Sequence, residues 1–247
     1  MQPVQSAVEA ATLVMRNGGS TVAAEHSFTN IVTGYGLQGV TVIWRLDFIA
    51  ASSTVDGESA TMVRSVGPIG VNLIRAAEVA ALSERVAKGE VELPVLDAEI
   101  ARVQKMPTQY NRWLTVLAAA VIGAGLSQFA GGDWGSLPVA AVAAGVGQIL
   151  RSVLQARKHP AANVTLICGL LSAGMASAAL RLGFSDVPSV TLIASVVYLA
   201  PGLPLINGFV DMTSHKYLLV GIERIINAVF LFTILAICIA LAYTVVT

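Results

Sequence analysis

Charge is what this sequence has least of. Asp, Glu, Lys and Arg make up only 12% of its 247 residues, roughly half the share of an ordinary soluble domain. Fifteen basic and fifteen acidic residues cancel, so there is no net-charge field of the kind that recruits nucleic acids. Histidine occurs three times and cysteine twice. Cys168 and Cys238 both lie in apolar runs and read as small packing residues, not as a disulfide or a metal pair. No glycine-rich phosphate loop and no metal-ligand spacing can be found. The sequence is therefore read as holding no catalytic residue, no cofactor and no metal. His26 reads as a structural or surface residue. His159 and His215 fall in predicted loops, and the apolar segments lack a paired-aspartate motif, which speaks against an intramembrane enzyme. The N-terminus does not read as a signal peptide: MQPVQSAVEAATLVMRNGG has no basic start and Glu9 interrupts its apolar residues. The polar N-terminal part is expected to stay in the cytosol.

What the sequence has instead is apolar length. Hydrophobic residues make up 55% and mean hydropathy is +0.73. Residues 1–112 hold twenty of the thirty charged side chains. The expected architecture is a small cytosolic α/β domain over 1–112, followed by an α-helical integral membrane domain over 113–247. Five apolar segments follow residue 112: Trp113–Phe129, Leu137–Leu154, Asn163–Leu180, Val187–Val210 and Ile225–Val246. Each approaches the roughly 20 residues a crossing needs. The second carries Arg151 in its last turn, which must snorkel to the interface; without that segment the count is four.

Basic residues alternate between the loops. Arg102, Lys105, Arg112, Arg151, Arg157, Lys158, Lys216 and Arg224 fall on one side of five crossings, and Arg181 alone falls on the other. By the positive-inside rule the N-terminus is cytosolic and the C-terminus is outside. Ala119/Gly123, Ala141/Gly145, Ala143/Gly147 and Gly174/Ala178 have the spacing that lets helices approach closely in lipid. Trp113 and Trp134 suit interfacial anchoring.

The stretch YLAPGLPLINGFVDM, residues 198–212, breaks the fourth segment. Pro201 and Pro204 cannot donate backbone hydrogen bonds, and a freed carbonyl in hydrocarbon costs several kcal/mol unless something satisfies it. Two readings stay open. The break at Pro201, Gly202 and Pro204 faces a polar cavity of the transporter kind, with Asn207 and Asp211 in the path. Alternatively it is a kink near the membrane surface, with Asn207 as a cap and Asp211 solvated.

In the polar half, Val4–Asn17 has helical periodicity and ends at Gly18-Gly19, and Ser20 or Thr21 can cap a second helix to about Tyr35. VTVIW (40–44), DFIAASS (47–53) and ATMVRSV (60–66) read as strands, with Val55-Asp56-Gly57-Glu58 as a hairpin turn. A long helix from about Ile69 to Lys88 and a shorter one from Pro94 to Lys105 complete it. Arg64, Asn72 and Arg75 gather where the last strand meets the long helix. They are either a polar ligand site, an interdomain contact or a solvated surface.

PGLPLINGFVDM (201–212), Gly18-Gly19 followed by Glu25, GPIGVN (67–72) with Arg64 before it, and Gly131-Gly132-Asp133-Trp134 occur in an order that resembles the threonine/serine exporter family of bacterial inner-membrane transporters, its short two-component branch above all. The resemblance spans essentially the whole chain. It implies a cytosolic N-terminal domain, proton-coupled outward transport of a small polar metabolite, and a place for Glu25 in the polar site of that domain. Full-length members carry two sets of crossings, and this chain carries one. A unit with an odd number of crossings starts inside and ends outside, so a second unit must lie inverted. A small companion membrane subunit is therefore expected to supply the other half. Asn207 is then expected to bond substrate and Asp211 to couple or gate. Arg151 pairs with an anionic substrate or anchors at the interface. The alternative function is a membrane-tethered regulatory or assembly protein with a ligand-binding cytosolic domain, which would need neither the Pro-Gly-x-Pro break nor Asp211.

Overall fold

A computed structural model describes residues 2–55, 58–107 and 110–246; the predicted turn residues Asp56 and Gly57 lie outside the described residues. It is mostly helical, with one small sheet. The chain divides into two compact units, Met1–Thr108 with Gly202–Asn227 and Gln109–Pro201 with Ala228–Thr247.

The first unit contains α1 (Gln2–Arg16), α2 (Thr21–Gly34), β1 (Val40–Trp44), β2 (Phe48–Val55), β3 (Glu58–Ser65), α3 (Leu73–Ala87) and α4 (Leu93–Lys105). The strands form an antiparallel meander in the order β1-β2-β3, with Val42 opposite Ala51 and Ala51 opposite Met62. α1 is apolar around much of its circumference because other elements cover it: Val4, Val8, Val14 and Met15 are buried with Ile31, Ile49, Val79 and Leu96 in one core. Phe28, Trp44 and Tyr217 meet edge to face within it. α3 starts at Leu73, not at the expected Ile69. The N–H groups of Gly70 and Asn72 are already used by Arg16 O and Asn17 O, and Asn72 Oδ1 accepts from Arg75 N at 3.2 Å as the N-cap.

The same unit includes α9 (Gly202–Thr213) and the first turns of α10 (Leu218–Val246). α10 begins seven residues earlier than the expected Ile225. Its polar first turns are paired and so do not end the helix: Glu223 lies 3.7 Å from Arg45, and Arg224 is engaged as described below.

The second unit contains α5 (Arg112–Phe129), α6 (Ser136–Ala156), α7 (Ala161–Arg181), α8 (Pro188–Val196) and the rest of α10. Its core is built from small residues, Ala119, Ala144, Cys168, Ala173 and Ala176, beside Leu192 and Leu235. A Cβ on Gly123 would lie 2.8 Å from Ala140 O, so α5 and α6 touch backbone to backbone there. Gly174, by contrast, faces open space. Trp113 and Trp134 are exposed.

Among the described residues four helices, α5, α6, α7 and α10, are long and apolar enough to cross a membrane. α8 and α9 together make a fifth candidate, broken between them. The break falls at the expected residues: α8 gives way to a 3-10 turn at Val197–Leu199, and helix resumes at Gly202 after Pro201.

Candidate functional site

Two charged constellations stand out, one in each unit. The first is built where α1 turns into α2. α1 is followed by the turn at Gly18-Gly19, and Gly18 has φ +94, the left-handed region that favours glycine. Ser20 then caps α2 by accepting from Ala23 N at 3.1 Å. The N–H groups of Thr21 and Val22 still need acceptors, as the first amides of any helix do.

Asp211 of α9 supplies them. Its Oδ1 accepts from Thr21 N at 2.8 Å and from Val22 N at 3.3 Å. Its Oδ2 accepts from Thr21 Oγ1 at 2.8 Å and lies 3.0 Å from Arg224 Nε, an ionic contact and not an aligned hydrogen bond. Asp211 is 0% exposed and Arg224 3%. A fully buried carboxylate is tolerable only with its lone pairs occupied and an opposite charge beside it. Here it has both, and the positive end of α2 as well.

Glycine explains how the pair meets. A Cβ on Gly221 would lie 2.6 Å from Gly208 O, and one on Gly208 would lie 3.1 Å from Gly221 O. The two backbones are therefore in contact, and the residue one turn further along each helix, Asp211 on α9 and Arg224 on α10, faces the other. Around this pair, Asn207 Nδ2 donates to Gly18 O at 2.7 Å and Arg224 Nη2 to Gly19 O at 3.3 Å. Lys216 pairs with Glu25. Tyr217 is buried close by, and burial, with the Glu25 and Asp211 carboxylates adding to it, pushes its phenol far up, so it stays neutral.

The structure brings Asn207, Asp211 and Glu25 into one neighbourhood. The other expected polar residues go elsewhere in the same unit. Arg64 pairs with Glu9 at 3.1 Å, Asn72 caps α3, and Arg75 donates to Met106 O. Pro201 is buried, while Gly202 is exposed and Pro204 half-buried.

The second constellation lies in the other unit. Arg151 on α6 donates through Nη1 to Tyr198 O at 2.9 Å. A continuous α8 would have bonded that carbonyl to the amide four residues on; the break frees it. The Tyr198 hydroxyl is 3.1 Å from Ser172 Oγ, which donates to Ala143 O at 3.0 Å. Gly147 makes room: a Cβ there would be 1.9 Å from the Tyr198 hydroxyl. The loop ends of this unit are tied separately. Asp133 accepts from Ser136 N at 2.6 Å, Ser185 Oγ at 2.8 Å and Asp186 N at 2.8 Å. The Asp186 amide above all holds the Asp133 carboxyl below the usual carboxylate range.

Arg224, Thr21 and the Gly208–Gly221 contact escape a reading of the sequence alone. One signal is present there: Asp211 and Arg224 are ionisable residues bordering apolar segments, where charge is retained for a purpose. Among the described residues no group of His, Cys, Asp and Glu could hold a metal ion.

Comparison with known proteins places the chain in a family. The family model described as "Putative threonine/serine exporter" matches residues 5–246. A "Probable succinate transporter subunit" of Klebsiella aerogenes is 29% identical over 208 residues, 83% of this chain and 79% of that protein. A protein of the same description from Escherichia coli is 24% identical over 214 residues, 83% and 80%. A "Probable threonine/serine exporter" of Mycobacterium tuberculosis is 24% identical over 226 residues, 91% of this chain but only 42% of that protein. No solved structure matches. These likenesses and the candidate spans together support a multi-pass membrane protein of an export system.

Proposed function

The chain belongs to the threonine/serine exporter family, and from that premise we propose that it is one subunit of a secondary-active exporter of small polar metabolites in the bacterial inner membrane. The exported molecule is threonine or serine, or a C4 dicarboxylate such as succinate, and export is coupled to protons. Residues 1–112 form the cytosolic domain and 113–247 the membrane domain, with the N-terminus inside and the C-terminus outside. A small companion membrane subunit completes the path. Two relatives whose names describe a subunit support this, as does the relative in which the matched stretch takes up less than half the length.

The observation that carries the mechanism is the buried pair Asp211–Arg224 on the N-terminal end of α2. In the arrangement described, the Asp211 carboxylate holds α2, the Gly18-Gly19 loop and α10 together. Taking up a proton would cancel its charge, weaken its grip on Arg224 and release those elements; losing the proton would restore them. That makes Asp211 the coupling or gating group. Asn207, which now holds Gly18 O, becomes free to bond substrate when the loop moves. The break at Pro201, Gly202 and Pro204 supplies backbone groups to the path, and Glu25, Arg64, Asn72 and Arg75 supply the polar surface of the cytosolic domain.

The test is efflux from cells loaded with radiolabelled substrates, with this chain and its companion present together, singly or not at all. Serine, threonine, succinate and an uncharged sugar form the panel. Export of at least one carboxylate is expected only when both subunits are made, and dissipating the proton gradient should abolish it. Equal efflux without this chain would end the exporter reading.

A further inference from the structure

Among its described residues, the membrane unit holds a cation with no counter-ion. In residues 109–201 and 228–247 the acidic residues are Asp133 and Asp186 alone. Both are tied together at the Ser136 end of α6. Arg151 lies fifteen residues further along that helix, about 22 Å away at 1.5 Å per residue. Among the described residues Arg151 has no carboxylate within ion-pair distance, and its one hydrogen bond is to Tyr198 O. A guanidinium carries several N–H donors in a planar fork that matches a carboxylate. Most of that fork is unused. A partly buried charge in an apolar helix is costly unless paired, and this site offers no partner of its own.

The guanidinium is also held in place. Tyr198 O fixes one edge. Tyr198 is itself fixed through its hydroxyl on Ser172 Oγ and by the space that Gly147 leaves. An interfacial anchor would need no such support; a Lys or Arg snorkelling into the headgroups is flexible. Arg151 lies about 8 Å of helix short of the end of α6 at Ala156.

We propose that Arg151 recognises a carboxylate group of the transported molecule: the exported anion is the missing counter-ion, received in a bidentate pair by the open edge of the guanidinium. This rests on the exporter reading and makes it narrower. It predicts that a carboxylate is required on the substrate, and it gives that carboxylate to Arg151, not to Arg224, whose charge already faces Asp211. Tyr198 is a positioning residue.

The experiment measures heat stability of the full chain, solubilised from membranes with whatever partner accompanies it. Succinate, L-threonine and the uncharged succinamide are added at matched ionic strength. Succinate or threonine should raise the Tm of wild type by a few degrees, as selective binding to the native state must, and succinamide should not. Arg151→Gln should lose the shift, and Arg151→Lys should keep part of it at higher ligand concentration. Arg157→Gln, which removes an exposed charge in the following loop, should keep it. A shift equal in wild type and Arg151→Gln overturns the proposal, as does a wild type that neither carboxylate stabilises. Efflux measured in parallel keeps the two readings apart. Export that survives Arg151→Gln unchanged rejects the inference and leaves the exporter intact, whereas a wild type that exports nothing rejects the exporter itself.

Discussion

Two arginines divide the chemistry of this chain between them. Arg224 is almost wholly buried and faces a carboxylate that already accepts three hydrogen bonds. Arg151 is partly buried and faces one carbonyl. The first environment is closed: Asp211 accepts from Thr21 and Val22 and faces Arg224, and removing either charge strands the other. The second is open, and removing it strands nothing but a carbonyl that the helix break had already freed. Buried charge that is matched holds structure. Buried charge left unmatched waits for something from outside.

Breaking the matched pair should have the largest effect. Arg224→Gln or Asp211→Leu alone leaves one buried charge unpaired, at a cost of about 3–5 kcal/mol, and should deplete the chain from membranes as read by immunoblot. Removing both charges together should recover part of that loss, since no buried charge then stands unpaired, while the Thr21 and Val22 amides still lack the acceptor that Asp211 supplied. Next in size is Gly221→Ala. Its methyl would press on Gly208 O and Met212 N, and separating α9 from α10 should cost about 1–3 kcal/mol and lower Tm with little effect on carboxylate binding. Thr21→Val removes one hydroxyl from the Asp211 carboxylate and should cost about 1–2 kcal/mol in the same Tm measurement.

Arg151→Gln sharpens the comparison from the other side. It should change stability by no more than about 1 kcal/mol while abolishing the response to carboxylates. If it depletes the chain as severely as Arg224→Gln does, the two arginines are alike and the distinction fails.

The smallest effect is a pH dependence at the loops of the membrane unit. Asp133 has a depressed pKa in the native state, so the unfolded chain binds its proton more tightly. Its contribution is complete above the ordinary carboxylate value of about 4 and is lost only as pH falls through the lower native value. Between pH 8 and pH 5, Asp133→Asn should therefore shift Tm by a constant amount, and the difference from wild type should close only under stronger acid.

Much of the fold is legible in the sequence. Apolar length gives away the spans, and period-two alternation marks β1 to β3 to within two residues at either end. The helix break can be placed at Pro201-Gly202 because proline's missing donor acts locally. What stays hidden depends on residues far apart in the chain. Asp211 binds the amide of Thr21, 190 positions away, and nothing near either residue announces the other. α3 starts late because Gly70 and Asn72 are claimed by the end of α1, a contact no local propensity encodes. Arg224 reads as one more basic residue of a cytosolic loop; it is helical and buried because Asp211 meets it. Arg151 is visible as an oddity in an apolar segment, but its hold on Tyr198 O requires knowing where the break turns that carbonyl.

The most direct measurement is efflux from cells making the Asp211→Asn, Arg224→Gln double variant with the companion subunit, at membrane levels equal to wild type. If the pair couples protons to movement of α2 and its loop, the double variant will accumulate normally and export nothing above background. Export at the wild-type rate would contradict that, and would reduce the pair to scaffolding.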